Sequence, residues 1–176
     1  MVKTILYMAV TANGFVADEA GDTSWVSSKD WENFKVLAKR TGNVVVGRGT
    51  YDVMVKDGTF PIPDCLNVVM TSNIPETSPG TNVFFSDQSI EETLEELEKK
   101  GFNEVLVAGG GELNGSFMSD GLFDEIYLTV EPVVFGRGVP LFGVGTDFKR
   151  SLTLLGVEKI SESEVQLHYG ILRESA

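Results

Sequence analysis

Three successive glycines, Gly109, Gly110 and Gly111, constrain this chain more than any other feature. They follow an apolar run over residues 104–108 that is typical of a buried strand, and a helix-like segment comes after them. Because glycine has no side chain, the backbone can adopt positive φ angles here and an anion can approach the N–H groups that begin the helix. The pattern predicts either a nucleotide-binding loop or a tight strand-to-helix turn, and this motif alone leaves both open.

The spacing of the glycines excludes two common nucleotide-binding motifs. The dinucleotide fingerprint of Rossmann domains requires glycine at its sixth position, and counting from Gly109 that position holds Asn114. A P-loop requires Gly-Lys-Ser or Gly-Lys-Thr, which the sequence lacks. Any phosphate site at this loop is therefore of another kind.

Length and composition indicate one compact domain over residues 1–176. Hydrophobic residues make up 42% of the chain, enough for one sizeable core. The net charge of −12 argues against nucleic acid or an acidic membrane as partner, since both select clustered Lys and Arg. The single cysteine, Cys65, excludes a disulfide framework and a cysteine-cluster zinc site, which suits a cytoplasmic protein without a metal. No apolar run approaches the roughly 20 residues of a membrane helix.

Alternating strand-like and helix-like segments predict an α/β fold with a mostly parallel central sheet. The clearest helix covers residues 89–100, with Ser89 as its N-cap and Gly101 after its end. A second helix is predicted over 28–40. Segments 151–158 and 164–172 alternate in polarity and predict an antiparallel C-terminal hairpin. The other predicted strands are 3–10, 43–47, 66–71, 82–85, 104–108 and 125–130.

Two further strand ends carry residues suited to phosphate. Arg48 and Thr50 lie where the strand over 43–47 gives way to a helix, and a guanidinium beside a helix N-terminus matches phosphate oxygens. Thr71 and Ser72 close the strand over 66–71, with no acid next to them in the sequence. Because NAD sites use an acid for the ribose 2′-hydroxyl, these strand ends favour the 2′-phosphate of NADPH.

Five short motifs follow one another along almost the whole chain. They are Thr11-Ala12-Asn13-Gly14-Phe15-Val16-Ala17, Gly47-Arg48-Gly49-Thr50-Tyr51, Thr71-Ser72, the glycine loop over 107–111, and Glu131-Pro132-Val133-Val134-Phe135-Gly136-Arg137-Gly138-Val139-Pro140-Leu141-Phe142. In this order they resemble the dihydrofolate reductase superfamily, and most closely the RibD C-terminal domain family of riboflavin biosynthesis.

The resemblance implies a three-layer α/β/α, dihydrofolate reductase-like fold, NADPH as hydride donor, a small-molecule substrate and, as often in this family, a homodimer. It implies a substrate site at Thr11, Asn13, Gly14, Asp30 and Glu131, with Asp30 and Glu131 as the catalytic candidates. It implies that the cofactor contacts Ala12, Gly47, Arg48, Thr50, Thr71, Ser72, Gly109, Gly110, Gly111, Glu112 and Leu113.

Two departures from the family pattern narrow the expected activity. Asn13 stands where the family carries an acid in its first loop. The His-x-Glu and Cys-x-x-Cys zinc signature of the deaminase half of the bifunctional riboflavin enzyme is absent, so deamination is excluded.

Dihydrofolate is the second candidate substrate. Asp30, four residues before Phe34, stands where dihydrofolate reductases carry their pterin-binding acid. Against this, Cys65 stands where they carry the arginine that binds the glutamyl carboxylate, and losing a bidentate arginine removes much of the recognition of a charged group. Without the resemblance, an ordinary first-turn aspartate favoured by the helix dipole is the better explanation of Asp30, and the resemblance favours a place in the substrate pocket instead.

These observations predict an NADPH-dependent oxidoreductase that resembles 5-amino-6-(5-phosphoribosylamino)uracil reductase and transfers hydride to a small heterocyclic, carbonyl or imine substrate. The alternatives are dihydrofolate reductase and a non-catalytic, NADPH-binding regulatory protein. His168, the only histidine, is expected to be structural and without an acidic partner. Cys65 is expected to be a small buried apolar residue.

Overall fold

An eight-stranded sheet forms the centre of the computed structural model, which describes residues 2–143, 145 and 147–172. Among these residues, no helix has the length and apolarity that a bilayer span requires. The elements in chain order are β1 (Lys3–Thr11), β2 (Phe15–Ala17), α1 (Ser28–Thr41), β3 (Asn43–Gly47), α2 (Arg48–Lys56), β4 (Leu66–Met70), β5 (Val83–Ser86), α3 (Ile90–Lys99), β6 (Glu104–Val107), α4 (Gly111–Ser119), β7 (Glu125–Glu131), β8 (Val139–Pro140), β9 (Leu152–Lys159) and β10 (Val165–Ile171).

The strands of the large sheet lie in the order β5-β4-β3-β6-β1-β7-β10-β9. Neighbours from β5 to β7 run parallel, whereas β10 is antiparallel to both β7 and β9. The predicted mostly parallel sheet and antiparallel C-terminal hairpin are confirmed, and the ends of the predicted strands differ from the observed ones by at most one residue. A small second sheet, β2 with β8, has no counterpart in the sequence analysis.

Helices α1 and α2 pack on one face of the large sheet, and α3 and α4 pack on the other. Successive residues of β3 show this arrangement, because Val44 and Val46 join one core cluster and Val45 joins the second. The predicted three-layer α/β/α architecture is therefore confirmed. The helical side chains buried in the first cluster are Phe34, Leu37, Ala38 and Met54, and those in the second are Leu94, Leu97, Phe117 and Met118.

His168 has an acidic partner, so the expectation that it lacks one is wrong. Its Nε2 lies 3.0 Å from Oε2 of Glu125, and its ring stacks on Tyr127 with 4.0 Å between the ring centroids. Glu125 also pairs with Lys3 at 2.8 Å. Burial opposes ionisation, but Lys3 and His168 outweigh it and lower the pKa of Glu125. The pair was missed because β7 and β10 are distant in sequence and become neighbours only in the sheet.

Asn67 on β4 fixes the loop that precedes this strand. The side chain is fully buried and makes three hydrogen bonds to that loop. Its Nδ2 donates to the carbonyl oxygens of Ile62 at 2.9 Å and Cys65 at 3.1 Å, and its Oδ1 accepts from the Ile62 N–H at 2.9 Å. One amide side chain therefore provides the hydrogen-bond partners of buried backbone groups in this loop.

Replacing Asn67 should destabilise the fold strongly. Asn67→Ala removes these three bonds and leaves the buried Ile62 N–H without its partner, which should lower the free energy of unfolding by about 3 kcal/mol. Urea denaturation at neutral pH measures the loss. Asn73→Ala removes the same atoms at an exposed position and should change stability by less than about 0.5 kcal/mol. Equal losses in the two variants would contradict the role given to Asn67.

Candidate functional site

A large cavity opens at the carboxyl ends of β3 and β6. These strands are neighbours in the sheet, but the helices that follow them leave toward opposite faces, α2 to one and α4 to the other. Such a divergence creates a crevice, and open α/β sheets bind ligands at this position. The cavity has a volume of about 1220 Å³. Pockets for drug-sized ligands span roughly 300–1,000 Å³, so this space is large enough for a dinucleotide beside a small second molecule.

Two glycine turns meet at the floor of the crevice. The Gly47 N–H donates to the Gly109 carbonyl oxygen at 2.7 Å, which joins the turn after β3 to the turn after β6. Gly109 has a φ of 91°, a conformation that favours glycine, and the peptide bond to Gly110 is cis. A Cβ on Gly110 would lie 3.2 Å from Thr50 Oγ1, and one on Gly111 would lie 2.5 Å from the Pro140 carbonyl oxygen. The glycines thus serve close packing as well as an open path to the helix.

Helices α2 and α4 begin at this cavity without a side-chain cap. Ser27 caps α1 and Ser89 caps α3 through their hydroxyl oxygens, whereas the caps of α2 and α4 are Gly47 and Gly110. An uncapped N-terminus presents unpaired N–H groups and the positive end of the helix dipole. Both termini therefore suit the phosphate groups of a ligand that spans the crevice.

Arg48 lies at the start of α2 together with an acid. Its Nε is 2.8 and 3.0 Å from the two carboxylate oxygens of Asp52, and its Nη1 is 3.4 Å from the Asn73 carbonyl oxygen. One turn of α2 brings Asp52 beside Arg48, an acid that the sequence analysis did not place at this site. Among the described residues that line the cavity, Arg48 is the only lysine or arginine. Thr71 and Ser72 line the cavity at the end of β4.

Asp30 lines the same cavity from the first turn of α1. Its side chain is buried, and the Tyr7 hydroxyl donates to Oδ1 at 2.7 Å. Burial raises the pKa of Asp30 above its ordinary value, although the hydroxyls of Thr129 and Tyr7 act in the opposite direction. A carboxyl group with a raised pKa can hold and release a proton closer to neutral pH. Trp31 and Phe34 add aromatic surface beside it.

Glu131 is not among the residues that line the cavity, so the structure does not bring this expected substrate contact to the candidate site. It is buried at the end of β7, where its Oε1 accepts a hydrogen bond from the Ser27 N–H at 2.9 Å. Burial and the neighbouring Glu164 raise the pKa of Glu131, whereas hydrogen bonds from Ser161 and Ser27 lower the pKa of Glu164. Through the bond to the Ser27 N–H, Glu131 supports the start of the helix that carries Asp30.

The residues of the turn over 11–14 are also not among those that line the cavity. The Thr11 hydroxyl lies 2.9 Å from Asn13 Oδ1, and the Asn13 amide donates to the Phe135 carbonyl oxygen at 2.7 Å. These bonds tie the turn to the segment after β7. Four residues of this turn that were expected to contact a ligand do not line the cavity: Thr11, Ala12, Asn13 and Gly14. The following residues line it instead, among them Val16, Ala17, Gly21, Thr23, Ser24 and Val26.

Most of the expected cofactor residues come together around the crevice. Gly109 does not line the cavity, but its carbonyl oxygen accepts a hydrogen bond from the Gly47 N–H. Sequence reasoning missed Tyr7 and Asp52. A single hydroxyl within the apolar run of β1 was the signal for Tyr7, and the four-residue spacing from Arg48 was the signal for Asp52. The expected residues that do line the cavity are Gly47, Arg48, Thr50, Thr71, Ser72, Gly110, Gly111, Glu112, Leu113 and Asp30.

Known proteins match this chain over between about three quarters and nearly all of its length. The chain is 33% identical over 171 residues to the uncharacterized protein YwjB of Bacillus subtilis, covering 95% of this chain and 97% of that protein. It is 24% identical over 172 residues to the riboflavin biosynthesis protein RibD of Bacillus amyloliquefaciens, covering 74% of this chain and 46% of RibD. A solved structure from Shewanella sp. PV-4, named for riboflavin biosynthesis, superposes with a TM-score of 0.82 at 28% identity and covers 98% of this chain and 100% of that one.

The family model of the RibD C-terminal domain matches residues 2–165. This family is associated with the reductase of riboflavin biosynthesis. The match spans both strands that form the crevice, all four helices and Asp30. The chain belongs to the RibD C-terminal domain family.

Proposed function

We propose that this protein is an NADPH-dependent oxidoreductase that transfers hydride to a small heterocyclic, carbonyl or imine substrate. One observation carries the proposal: a single cavity joins two uncapped helix N-termini to a buried carboxyl group. The first feature suits the phosphates of a dinucleotide, and the second suits proton transfer to a reduced substrate. Membership of a reductase-associated family supports the same reaction class.

The cofactor site is assigned to the crevice between β3 and β6. The N-termini of α2 and α4 would hold the pyrophosphate, and Arg48, Thr71 and Ser72 would hold the 2′-phosphate. The glycine turns leave room for this approach, because a Cβ on Gly110 would occupy the space beside Thr50. NADPH, when bound, supplies the hydride, and the protein's task is to orient it against the substrate.

The substrate site is assigned to the cavity wall formed by β1 and α1. Asp30 would provide the hydrogen bond or proton that the reduced product needs, and Trp31 and Phe34 would contact a planar heterocycle. Tyr7 stays neutral, because burial and the Asp30 charge raise its pKa far above the physiological range. It therefore acts as a fixed hydrogen-bond donor to Asp30 and not as a proton source.

The first substrate to test is 5-amino-6-(5-phosphoribosylamino)uracil, because the family association concerns riboflavin biosynthesis. Dihydrofolate is the second, favoured by the position of Asp30 on α1. Cys65 does not replace the missing arginine of folate enzymes: it is buried beside the Ile62 carbonyl oxygen, and burial raises its pKa to about 11. A protein that binds NADPH but consumes it with neither substrate would instead fit the regulatory alternative.

We further propose that two copies associate through the edge strand β9. Leu152, Leu154 and Val157 pair opposite Ile171, Tyr169 and Leu167 of β10, so they share one face of the sheet. Their exposed fractions are 42%, 53% and 59%. An edge strand with free backbone groups and exposed apolar side chains favours pairing with another chain, and an isologous contact closes at two copies.

NADPH should bind more tightly than NADH, and Arg48 should carry the difference. Arg48→Ala should weaken NADPH binding about tenfold or more and leave NADH binding nearly unchanged, because a charge-assisted bond to the 2′-phosphate contributes about 1.5–3 kcal/mol. Fluorescence titration of both cofactors measures this. Arg40→Ala removes an exposed arginine paired with Glu104 outside the cavity and serves as the control. Equal wild-type affinities for the two cofactors, or an unchanged preference in Arg48→Ala, would refute the assignment.

Asp30→Asn should separate chemistry from cofactor binding. The substitution keeps the shape and deletes the carboxyl group, so turnover should fall roughly 100-fold while NADPH affinity stays within about twofold. Steady-state NADPH consumption with an active substrate gives the first value and fluorescence titration the second. Glu131→Gln, run in parallel, should retain most turnover because Glu131 lies outside the cavity. Full activity in Asp30→Asn with loss in Glu131→Gln would reverse the two assignments.

Substitution in β9 should convert the dimer to a monomer. Val157→Glu places a buried charge in the proposed interface, whereas Val36→Glu makes the same change on α1, where Val36 is 70% exposed. Light scattering coupled to size exclusion at about 20 µM should show a wild-type dimer, a monomeric Val157→Glu and a dimeric Val36→Glu. A monomeric wild type or a dimeric Val157→Glu would disprove this interface.

A further inference from the structure

Gln166 on β10 contacts both hydroxyl groups that surround Asp30. Its Nε2 lies 2.9 Å from the Tyr7 hydroxyl and 3.0 Å from Thr129 Oγ1. The side chain is 9% exposed, Tyr7 4% and Thr129 fully buried. Gln166 itself does not line the cavity, so any effect on a ligand must act through these neighbours.

The chemistry of the four groups fixes the direction of each hydrogen bond. The ionised Asp30 carboxylate only accepts, so the single hydrogen of the Tyr7 hydroxyl points at Oδ1, 2.7 Å away. The oxygen of that hydroxyl is then free to accept, and the NH₂ group of Gln166 donates to it at 2.9 Å, beside the neighbouring Thr129 hydroxyl. The same amide group has a second hydrogen for Thr129, whose hydroxyl also stabilises the Asp30 charge.

We propose that Gln166 is a positioning residue for Asp30, because its amide group holds the Tyr7 and Thr129 hydroxyls with their hydrogens directed at the carboxylate. Without this donor the hydroxyls are free to rotate, and the carboxylate loses part of its stabilisation. The placement itself does not depend on the reaction, whereas its catalytic consequence rests on the proposed function of Asp30. Gln166 thereby controls how much of Asp30 is ionised at a given pH.

The charged and titratable groups around Asp30 determine whether removal of Gln166 raises or lowers the pKa of Asp30. Tyr7 faces it from β1 and stays neutral, and Glu164, just before β10, raises its pKa by repulsion. Glu131 at the end of β7 faces Glu164 and the Ser27 N–H rather than Asp30. Removing Gln166 leaves burial and Glu164 in place and weakens the two opposing hydroxyls, so the pKa of Asp30 should rise further.

Carboxyl NMR titration of the full chain labelled with ¹³C-aspartate measures this without any substrate. The Asp30 signal is identified by its disappearance in Asp30→Asn. Gln166→Met keeps the volume and removes the donor, and it should move the Asp30 titration upward by about one pH unit, the shift that loss of one such hydrogen bond produces. Gln88→Met makes the same change at the exposed glutamine of the chain and should leave the Asp30 titration unmoved.

A double-mutant cycle with Tyr7→Phe tests whether Gln166 acts through the hydroxyl. In the Tyr7→Phe background Gln166→Met should shift the titration by clearly less than in the wild type. An unmoved Asp30 titration in Gln166→Met, or an undiminished shift in the Tyr7→Phe background, would overturn the proposal. If Gln166→Met does not fold, Gln166→Asn replaces it, and the same results support or overturn the proposal. The amide of Gln166→Asn is one methylene too short to reach both hydroxyls.

The pH dependence of kcat/KM then separates this inference from the proposed function. With an active substrate, the limb that reports Asp30 should move by the same amount as the NMR titration. A shifted titration with an unmoved activity profile supports the positioning role and refutes the catalytic role of Asp30. An unmoved titration refutes the positioning role whatever the activity.

Discussion

The contact between the turns after β3 and β6 is the constraint on which the site depends. Val45 of β3 is paired with Val107 of β6. Beyond this pair, a hydrogen bond from the Gly47 N–H to the Gly109 carbonyl oxygen joins the two turns. Because β6 lies between β1 and β3, the starts of α2 and α4 become neighbours although their strands are about 60 residues apart in sequence. Any ligand held by both helix ends must lie across the junction of these two turns, beside β1, which carries Tyr7.

The molecule uses its helix N-termini in two ways. The N-terminus of α1 stabilises acids, since Asp30 lies in its first turn and Glu131 accepts from the Ser27 N–H just before it. The N-termini of α2 and α4 have glycine caps and no side-chain cap, so their N–H groups suit the proposed phosphates. A buried carboxyl group needs such compensation, because desolvation otherwise removes its charge. The arrangement separates an acid site from an anion site within one cavity.

Local patterns predicted the sheet, the capped helices and the glycine turn, because periodicity, serine caps and glycine all act within a few residues. The capping box of Ser89 and Glu92 is one example. Contacts that depend on distant pairing were missed. Residues 11–14 do not line the cavity, and Asn13 instead binds the Phe135 carbonyl oxygen, a partner that is distant in sequence. The family resemblance did not predict this contact.

The charge of the chain bears on how the proposed cofactor site would work. The chain carries a net charge of −12, so its long-range field would repel an anionic cofactor. The described lining residues offer Arg48 as their only lysine or arginine, and Asp52 already accepts from it at 2.8 Å. In the proposed complex with NADPH, the 2′-phosphate would share or displace Asp52, so discrimination between cofactors would depend on the balance of one ion pair. The N–H groups of two helices without side-chain caps would act on the pyrophosphate at short range, with Glu112 in the first turn of α4 as the acid nearest to them in sequence.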